Sequence, residues 1–187
     1  MFYTVIITGA ARSGKDLFIE KCKQKLRPGK VNNVSIIDPV KEIAKYCGWD
    51  GGKTDKDRAF LCELKDLLTK YNNGPMQFLE SRLKTFQYLY MIGLSKYEPN
   101  NSVAFFIMRE AEDINRFKEA HKDTIVIRMT RAEAEQNLPH NHADEGALSG
   151  DYEINLIIDN NGSVEDLDAA AEKFLADLFN GVYTNEK

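Results

Sequence analysis

A chain of 187 residues is long enough for one well-buried core with a small inserted subdomain. It is too short for two ordinary domains, so we expect a single domain over residues 1–187. The composition, 43% hydrophobic and 29% charged, is typical of a folded globular protein. A net charge of −4 argues against a nucleic-acid polymer as partner, because such surfaces cluster Lys and Arg against phosphates. Composition leaves the oligomeric state open.

The first residues, Met1 to Thr8, carry no basic region and no cleavage site, so they predict a core strand rather than a signal peptide. No apolar stretch approaches the ~20 residues that cross a bilayer. Cys22, Cys47 and Cys62 lie in apolar helical patterns without a C-x-x-C pair, which favours reduced core thiols. We therefore predict a cytoplasmic protein without a membrane span.

Short runs rich in β-branched and aromatic residues predict five buried strands, at 2–8, 34–37, 103–108, 124–129 and 154–158. Apolar residues recur at helical spacing between and after them. This alternation predicts an α/β fold of the P-loop NTPase type, with a five-stranded, mainly parallel sheet covered by helices on both faces. In such sheets ligands bind at the carboxyl ends of the strands.

Two segments depart from the alternation. Residues 50–98 hold helical patterns with no strand, which predicts a helical insertion. Two capping boxes predict helix starts, Thr54-x-x-Asp57 within this insertion and Ser163-x-x-Asp166 before the last helix. Residues 130–150 are polar and end in glycine, which predicts a lid. Within the lid, a zinc site is the alternative use of the possible ligands His140, His142 and Asp144.

One motif carries chemistry. It follows the first predicted strand, opens a predicted helix and matches G-x-x-x-x-G-K, the pattern of a phosphate-binding loop. Glycines let the backbone curl so that successive N–H groups face a phosphate, and the helix start adds positive charge. Lys15 would reach the β- and γ-phosphates of ATP. The loop is Gly9, Ala10, Ala11, Arg12, Ser13, Gly14, Lys15 and Asp16.

The last position of the motif is unusual. A Ser or Thr hydroxyl normally binds Mg²⁺ there, whereas this chain has Asp16. Its carboxylate would bind the metal directly or through water; the alternative is an acid that only stabilises the helix start.

With aspartate after the lysine, the loop resembles that of phage-type deoxynucleoside monophosphate kinases and animal-type phosphomevalonate kinases. Three later blocks resemble the same kinases in order: Asp38-Pro39-Val40-Lys41, the segment around Arg109, and Asp159 to Ser163. The resemblance implies an ATP- and Mg²⁺-dependent kinase with a lid and a helical acceptor-binding region. It differs at the third strand, where Ile107 and Met108 replace an acid that supports magnesium. Either Glu110 or Asp16 would take over that duty, or catalysis is weak.

Charged residues near the predicted strand ends are candidates for the rest of the site. Arg109 would grip phosphates bidentately, or pair with nearby acids. Lys41 and Arg58 would hold the acceptor's phosphate, with Asp38 orienting or deprotonating its attacking oxygen. The alternatives are solvated helix charges for Lys41 and Arg58, and a helix cap for Asp38.

Arg128 and Arg131 flank the predicted lid. They would neutralise the transferring phosphoryl group on closure, or merely pair with lid acids. We expect phosphoryl transfer from ATP to a small phosphorylated acceptor, with a (deoxy)nucleoside monophosphate first. The alternatives are dephospho-coenzyme A or phosphomevalonate as acceptor, and a nucleotide-binding regulator with little turnover.

Overall fold

The computed structural model describes residues 1–93, 101–136 and 151–183. Within these ranges five strands alternate with helices in the predicted order. The strands are β1 Phe2–Thr8, β2 Val31–Ser35, β3 Ser102–Ile107, β4 Ile125–Thr130 and β5 Leu156–Asp159. The helices are α1 Lys15–Lys25, α2 Asp38–Tyr46, α3 Asp55–Asn72, α4 Gly74–Gly93, α5 Ala111–Ala120, α6 Ala132–Gln136 and α7 Val164–Phe179.

All five strands run parallel in the order β2-β3-β1-β4-β5. The central strand β1 pairs with β3 on one side and β4 on the other, so that Ile6 lies opposite both Phe106 and Val126. Parallel strands end at one edge of the sheet, and the chain reverses its direction of winding at β1. Such a switch point opens a crevice beyond the carboxyl ends of the strands.

One face of the sheet is covered by α1 and α7. Val5 and Ile7 of β1 pack there against Phe18 of α1 and Phe174 of α7, and none of the four is more than 1% exposed. These alternate residues of β1 point to one face because side chains alternate along a strand. The start of α1 is thereby fixed against the end of β1.

The opposite face is covered by α4 and α5. Ile6 and Phe106 pack there against Leu83 of α4 and Phe117 of α5. Helix α3 packs outside, against α2 and α4. The predicted helical insertion is therefore confirmed for its described part, residues 50–93.

Both predicted capping boxes are confirmed. The Thr54 hydroxyl accepts the Asp57 N–H at 3.2 Å, and the Ser163 hydroxyl accepts that of Asp166 at 3.1 Å. In turn, the carboxylates of Asp57 and Asp166 accept the backbone N–H of Thr54 and Ser163, and these hydrogen bonds lower the pKa of each carboxyl. Local sequence alone thus fixed where these two helices begin.

The edge strands differ from the prediction. Strand β2 begins at Val31 rather than at residue 34, and it ends at Ser35, whose N–H is taken by the Asp38 carboxylate at 2.8 Å. An edge strand need not be buried on both faces, so it tolerates polar side chains. Asn32 and Asn33 therefore interrupt the apolar run from which the start of the strand was predicted. Strand β5 is not buried on both faces either, since Ile157 is 59% exposed.

The cysteine prediction is wrong at one position. Cys22 is buried and Cys62 half-buried, but Cys47 is exposed at the end of α2; all three are free thiols. Among the described helices, none has both the length and the apolarity that a membrane span requires.

Candidate phosphate-binding site

The loop between β1 and α1 bends through three residues with positive φ: Gly9 at 133°, Arg12 at 67° and Gly14 at 97°. A side chain at Gly9 would collide with the Met129 carbonyl of β4. Glycine is therefore required there by both conformation and space. Arg12 is the exception, a non-glycine residue in the left-handed region, which is uncommon and typical of functional loops.

Lys15 is the first residue of α1 and is only 7% exposed. Its ammonium donates to the carbonyls of Gly9 at 2.8 Å and Ala10 at 2.7 Å, and to the Ser13 hydroxyl at 3.2 Å. The buried cation therefore lies inside the curl of the loop, held by the loop's own oxygens. Phosphate oxygens that entered the curl would meet this charge directly.

A residue from the far end of the chain closes the loop from the outside. The Asn160 amide donates to the Ser13 carbonyl at 2.9 Å, and its own N–H donates to Thr130 at the end of β4. A side chain at Gly14 would collide with this amide. Asn160 thus fixes the loop relative to β4 and β5.

Asp16 is exposed in the first turn of α1, next to Lys15. Mg²⁺ in phosphate sites takes one or two carboxylates and completes its shell with water and phosphate oxygens, so one carboxylate beside the loop suits this ion. Across 1–93, 101–136 and 151–183, no three His, Cys, Asp or Glu side chains group as metal ligands. The candidate zinc ligands His140, His142 and Asp144 lie outside the described residues.

A buried ionic cluster lies beyond the end of β3. The Lys65 ammonium of α3 lies 2.6 Å from Glu110 and 2.7 Å from Asp113, at the start of α5. Burial opposes the charge on Lys65, but the two carboxylates outweigh it and raise the pKa of the amine. Glu110 is therefore engaged by Lys65, which leaves Asp16 as the better placed of the two carboxylates considered for magnesium.

The arginines near the crevice have different surroundings. Arg109 follows β3 and is half-buried. Arg131 follows β4 and pairs with Glu133 at 3.0 Å, the charge pairing that was the alternative to a phosphate role. Arg128 lies in β4, as predicted, and is opposite Thr8 in the sheet; most of the predicted lid that follows β4 lies outside the described residues.

The acceptor-side candidates lie on α2 and α3. Asp38 and Lys41 form a loose pair at 3.9 Å, both about two-fifths exposed, and Asp38 also accepts the Ser35 N–H. Arg58 donates to the Lys53 carbonyl at 3.2 Å. It precedes Lys65 by two helical turns, so both lie on similar sides of α3, roughly 10 Å apart along its axis. The loop, Arg109 and Asp38 share one edge of the sheet, whereas Arg58 lies in the first turn of α3, outside the sheet.

Sequence reasoning did not predict the buried Lys65 cluster or the contact of Asn160 with the loop. It also did not single out Thr8, whose buried hydroxyl lies directly before the loop without a hydrogen-bond partner among the described residues. Lys65 had the pattern of a solvated helix charge, and Thr8 that of a strand residue. A polar residue directly before the loop glycine was the available signal for Thr8. No local signal pointed to Lys65, since its partners lie more than 40 residues away.

Comparison with known proteins adds information on the fold. The chain matches no protein-family model and no curated protein sequence. Among solved structures, a gluconokinase from Sinorhizobium meliloti 1021 has a TM-score of 0.51 at 13% identity, over 97% of this chain and 95% of that chain. A shikimate kinase from Aquifex aeolicus vf5 has a TM-score of 0.46 at 10% identity, over 96% and 98%. A sugar kinase from Janibacter sp. HTCC2649 has a TM-score of 0.45 at 13% identity, over 94% of this chain and 95% of that chain.

At such low identity the likeness to the gluconokinase concerns the fold, and the two lower scores add nothing to it. The parallel five-stranded sheet, the helices on both faces and the loop between β1 and α1 are those of the P-loop NTPase α/β fold. The predicted fold class is confirmed.

Proposed function

We propose that the chain is an ATP-dependent kinase that transfers a phosphoryl group to a small phosphorylated acceptor, with a (deoxy)nucleoside monophosphate as the first candidate. The observation that carries the proposal is the buried Lys15 ammonium at the start of α1, held by the Gly9 and Ala10 carbonyls inside a loop that bends through three positive-φ residues. In loops of this kind the helix start and the backbone N–H groups bind polyphosphate. The kinase resemblance of the loop and of the three later blocks supplies the reaction.

The loop has a defined task in this reaction. Lys15 exchanges its contacts with Gly9 and Ala10 for phosphate oxygens and offsets charge that develops as the phosphoryl group leaves. Asn160 keeps the loop in register with β4 and β5, so the phosphates are held at one place over the sheet edge. Positioning of this kind is most of the catalysis that phosphoryl transfer needs.

Asp16 would hold Mg²⁺, directly or through water, and the ion would neutralise charge on the β- and γ-phosphates. Arg109 would grip the acceptor's phosphate at the end of β3, assisted by Lys41 and Arg58. Asp38 would orient the attacking hydroxyl or accept its proton. Arg131 would leave Glu133 and turn to the phosphoryl group when the lid closes.

The test is release of ADP from ATP and Mg²⁺ with a panel of acceptors. It includes ribo- and deoxynucleoside monophosphates, dephospho-coenzyme A and phosphomevalonate. We expect at least about tenfold faster release with the correct acceptor than with water, and a loss of about 100-fold or more in Lys15→Ala. Lys23→Ala is the matched control, because Lys23 lies on the same helix in a surface pair with Glu20 at 3.8 Å. Equal rates in both variants would contradict the proposal.

A second function is favoured by one observation. At the end of β3 the chain has Ile107 and Met108, and the next acid, Glu110, is bound to Lys65. A carboxylate that supports magnesium from this strand is missing. A nucleotide-binding regulator would bind ATP through the same loop and show no transfer to any acceptor. Tight ATP binding that Lys15→Ala abolishes, without ADP release, would favour this second function.

A further inference from the structure

Thr8 and Arg128 lie side by side at the carboxyl edge of the sheet. Their Cα atoms are register partners in the parallel pairing of β1 and β4, so their side chains project from the same face. That face is the one covered by α4 and α5, since Ile6 and Val126, two residues earlier in each strand, belong to its core. Helix α1 lies on the other face.

Both side chains have unsatisfied polar atoms. Thr8 is fully buried, and its hydroxyl has no hydrogen-bond partner among the described residues. The Arg128 Nε is also buried without a partner in that part of the chain, and no ion pair is found there for its half-buried guanidinium. Buried polar atoms are nearly always hydrogen-bonded, so an unpartnered hydroxyl and an unpartnered guanidinium N–H are both unusual. Two such groups at adjacent positions indicate a shared ligand.

The donors define the chemistry of that ligand. The hydroxyl and the guanidinium both donate hydrogen bonds, and the guanidinium carries a full positive charge, so the complementary group is an oxyanion. A single water would satisfy the hydroxyl, but an oxyanion would in addition match the positive charge of Arg128.

We propose that Thr8 and Arg128 form an oxyanion subsite that binds the phosphate group of the acceptor from the β4 side of β1, together with Arg109 from the β3 side. The subsite adjoins the first glycine of the loop but opens on the opposite face from α1, the face that also carries the helical insertion. This assignment deepens the proposed kinase function and rests on it. It gives Arg128 a fixed place on the acceptor side, from which it acts without lid closure.

The test uses calorimetric titration of inorganic phosphate into the full-length protein saturated with a non-hydrolysable ATP analogue and Mg²⁺. The analogue fills the loop, so the titration reports a second site. We expect Arg128→Met to weaken phosphate binding about 20-fold or more and Thr8→Val about fivefold, as charged and neutral hydrogen bonds do. Acetate in place of phosphate should bind at least about tenfold more weakly.

Matched controls exist at the opposite edge of the sheet. Thr124 precedes β4 and is also buried with an unpartnered hydroxyl, so Thr124→Val makes the same chemical change far from the crevice. Arg27 follows α1 at that edge and is exposed, so Arg27→Met removes an equivalent charge. Both variants should bind phosphate as the wild type does. Thr8→Val replaces an unsatisfied hydroxyl with a methyl group of the same shape, so it should retain its melting temperature.

Three results would overturn the subsite: no second phosphate bound by the wild type, unchanged binding in Arg128→Met and Thr8→Val, or equal losses in the two control variants. If the ATP analogue itself fails to bind, the proposed function fails separately. In that case phosphate is titrated into the nucleotide-free Lys15→Ala protein and into the Lys15→Ala, Arg128→Met double variant. The subsite is supported only if the double variant loses the phosphate binding that Lys15→Ala retains.

Discussion

The Lys65 ammonium lies 2.7 Å from the Asp113 carboxylate, and each of the two residues is only 5% exposed. Glu110, 2.6 Å from the same ammonium, completes the cluster. The cluster joins α3 of the insertion to the start of α5, two residues after Arg109. It therefore fixes the insertion relative to the edge of the sheet that carries the candidate site.

Removing the cation should be costly. Lys65→Met leaves two carboxylates close together without their counter-charge, so we expect the free energy of unfolding to fall by about 3–5 kcal/mol. The pKa of Lys65 is higher in the folded state than in the unfolded state, so its contribution is complete below the unfolded value and is lost only as the pH rises through the folded value. Urea unfolding at pH 7 therefore measures all of it.

Two further variants make this measurement specific. Lys25→Met removes a lysine that pairs with Asp168 and Glu172 at the surface, and it should change stability far less. Adding Asp113→Leu to Lys65→Met should recover part of the loss, because it removes one stranded charge. Equal effects of Lys65→Met and Lys25→Met would show that the buried cluster has no special role.

The second prediction separates conformation from space in the loop. Gly14 has a φ of 97°, and a side chain there meets Asn160, whereas Gly29 has a φ of 81° with nothing within 4 Å. Gly29→Ala should cost about 1–2 kcal/mol for the left-handed backbone alone. Gly14→Ala should cost more and should also weaken binding of the ATP analogue. Thermal unfolding and calorimetry measure the two effects, and equal stability losses would contradict the contact with Asn160.

The third prediction concerns the hydrogen bond that closes the loop. Asn160→Ala removes the donor to the Ser13 carbonyl and should weaken binding of the ATP analogue about fivefold to tenfold, since a single hydrogen bond contributes about 1 kcal/mol. Asn161 is the matched control, because its side chain accepts the Ala132 N–H and does not bond to the loop. An affinity loss in Asn161→Ala as large as in Asn160→Ala would argue against a specific brace.

The fourth prediction is the order of thiol reactivity. Burial raises the pKa of Cys22 to about 12, so this thiol has almost no thiolate at pH 8. An aromatic disulfide reagent should modify exposed Cys47 first, half-buried Cys62 more slowly, and Cys22 only after unfolding. Cys47→Ser should remove the fast phase, and guanidinium should expose all three thiols. Rapid reaction of Cys22 in the folded protein would contradict its burial.

Local features of the sequence determined much of this protein. The loop from Gly9 to Asp16, the two capping boxes and the insertion were predicted because each depends on residues within a few positions of one another. Buried strands such as β1 and β3 were equally legible, since they are apolar on both faces. The edge strand β2 was placed too late, because an edge strand keeps polar residues and loses that signal.

Only the tertiary structure decided which distant residues meet. Lys65 and Asp113 are 48 positions apart, and Asn160 and Ser13 are 147 apart. Thr8 adjoins Arg128 because β4, rather than β2, lies beside β1. Strand order and helix packing come from the burial of the whole core, to which every element contributes. No pattern within one segment contains them, and the details of the candidate site beyond the loop follow from that order.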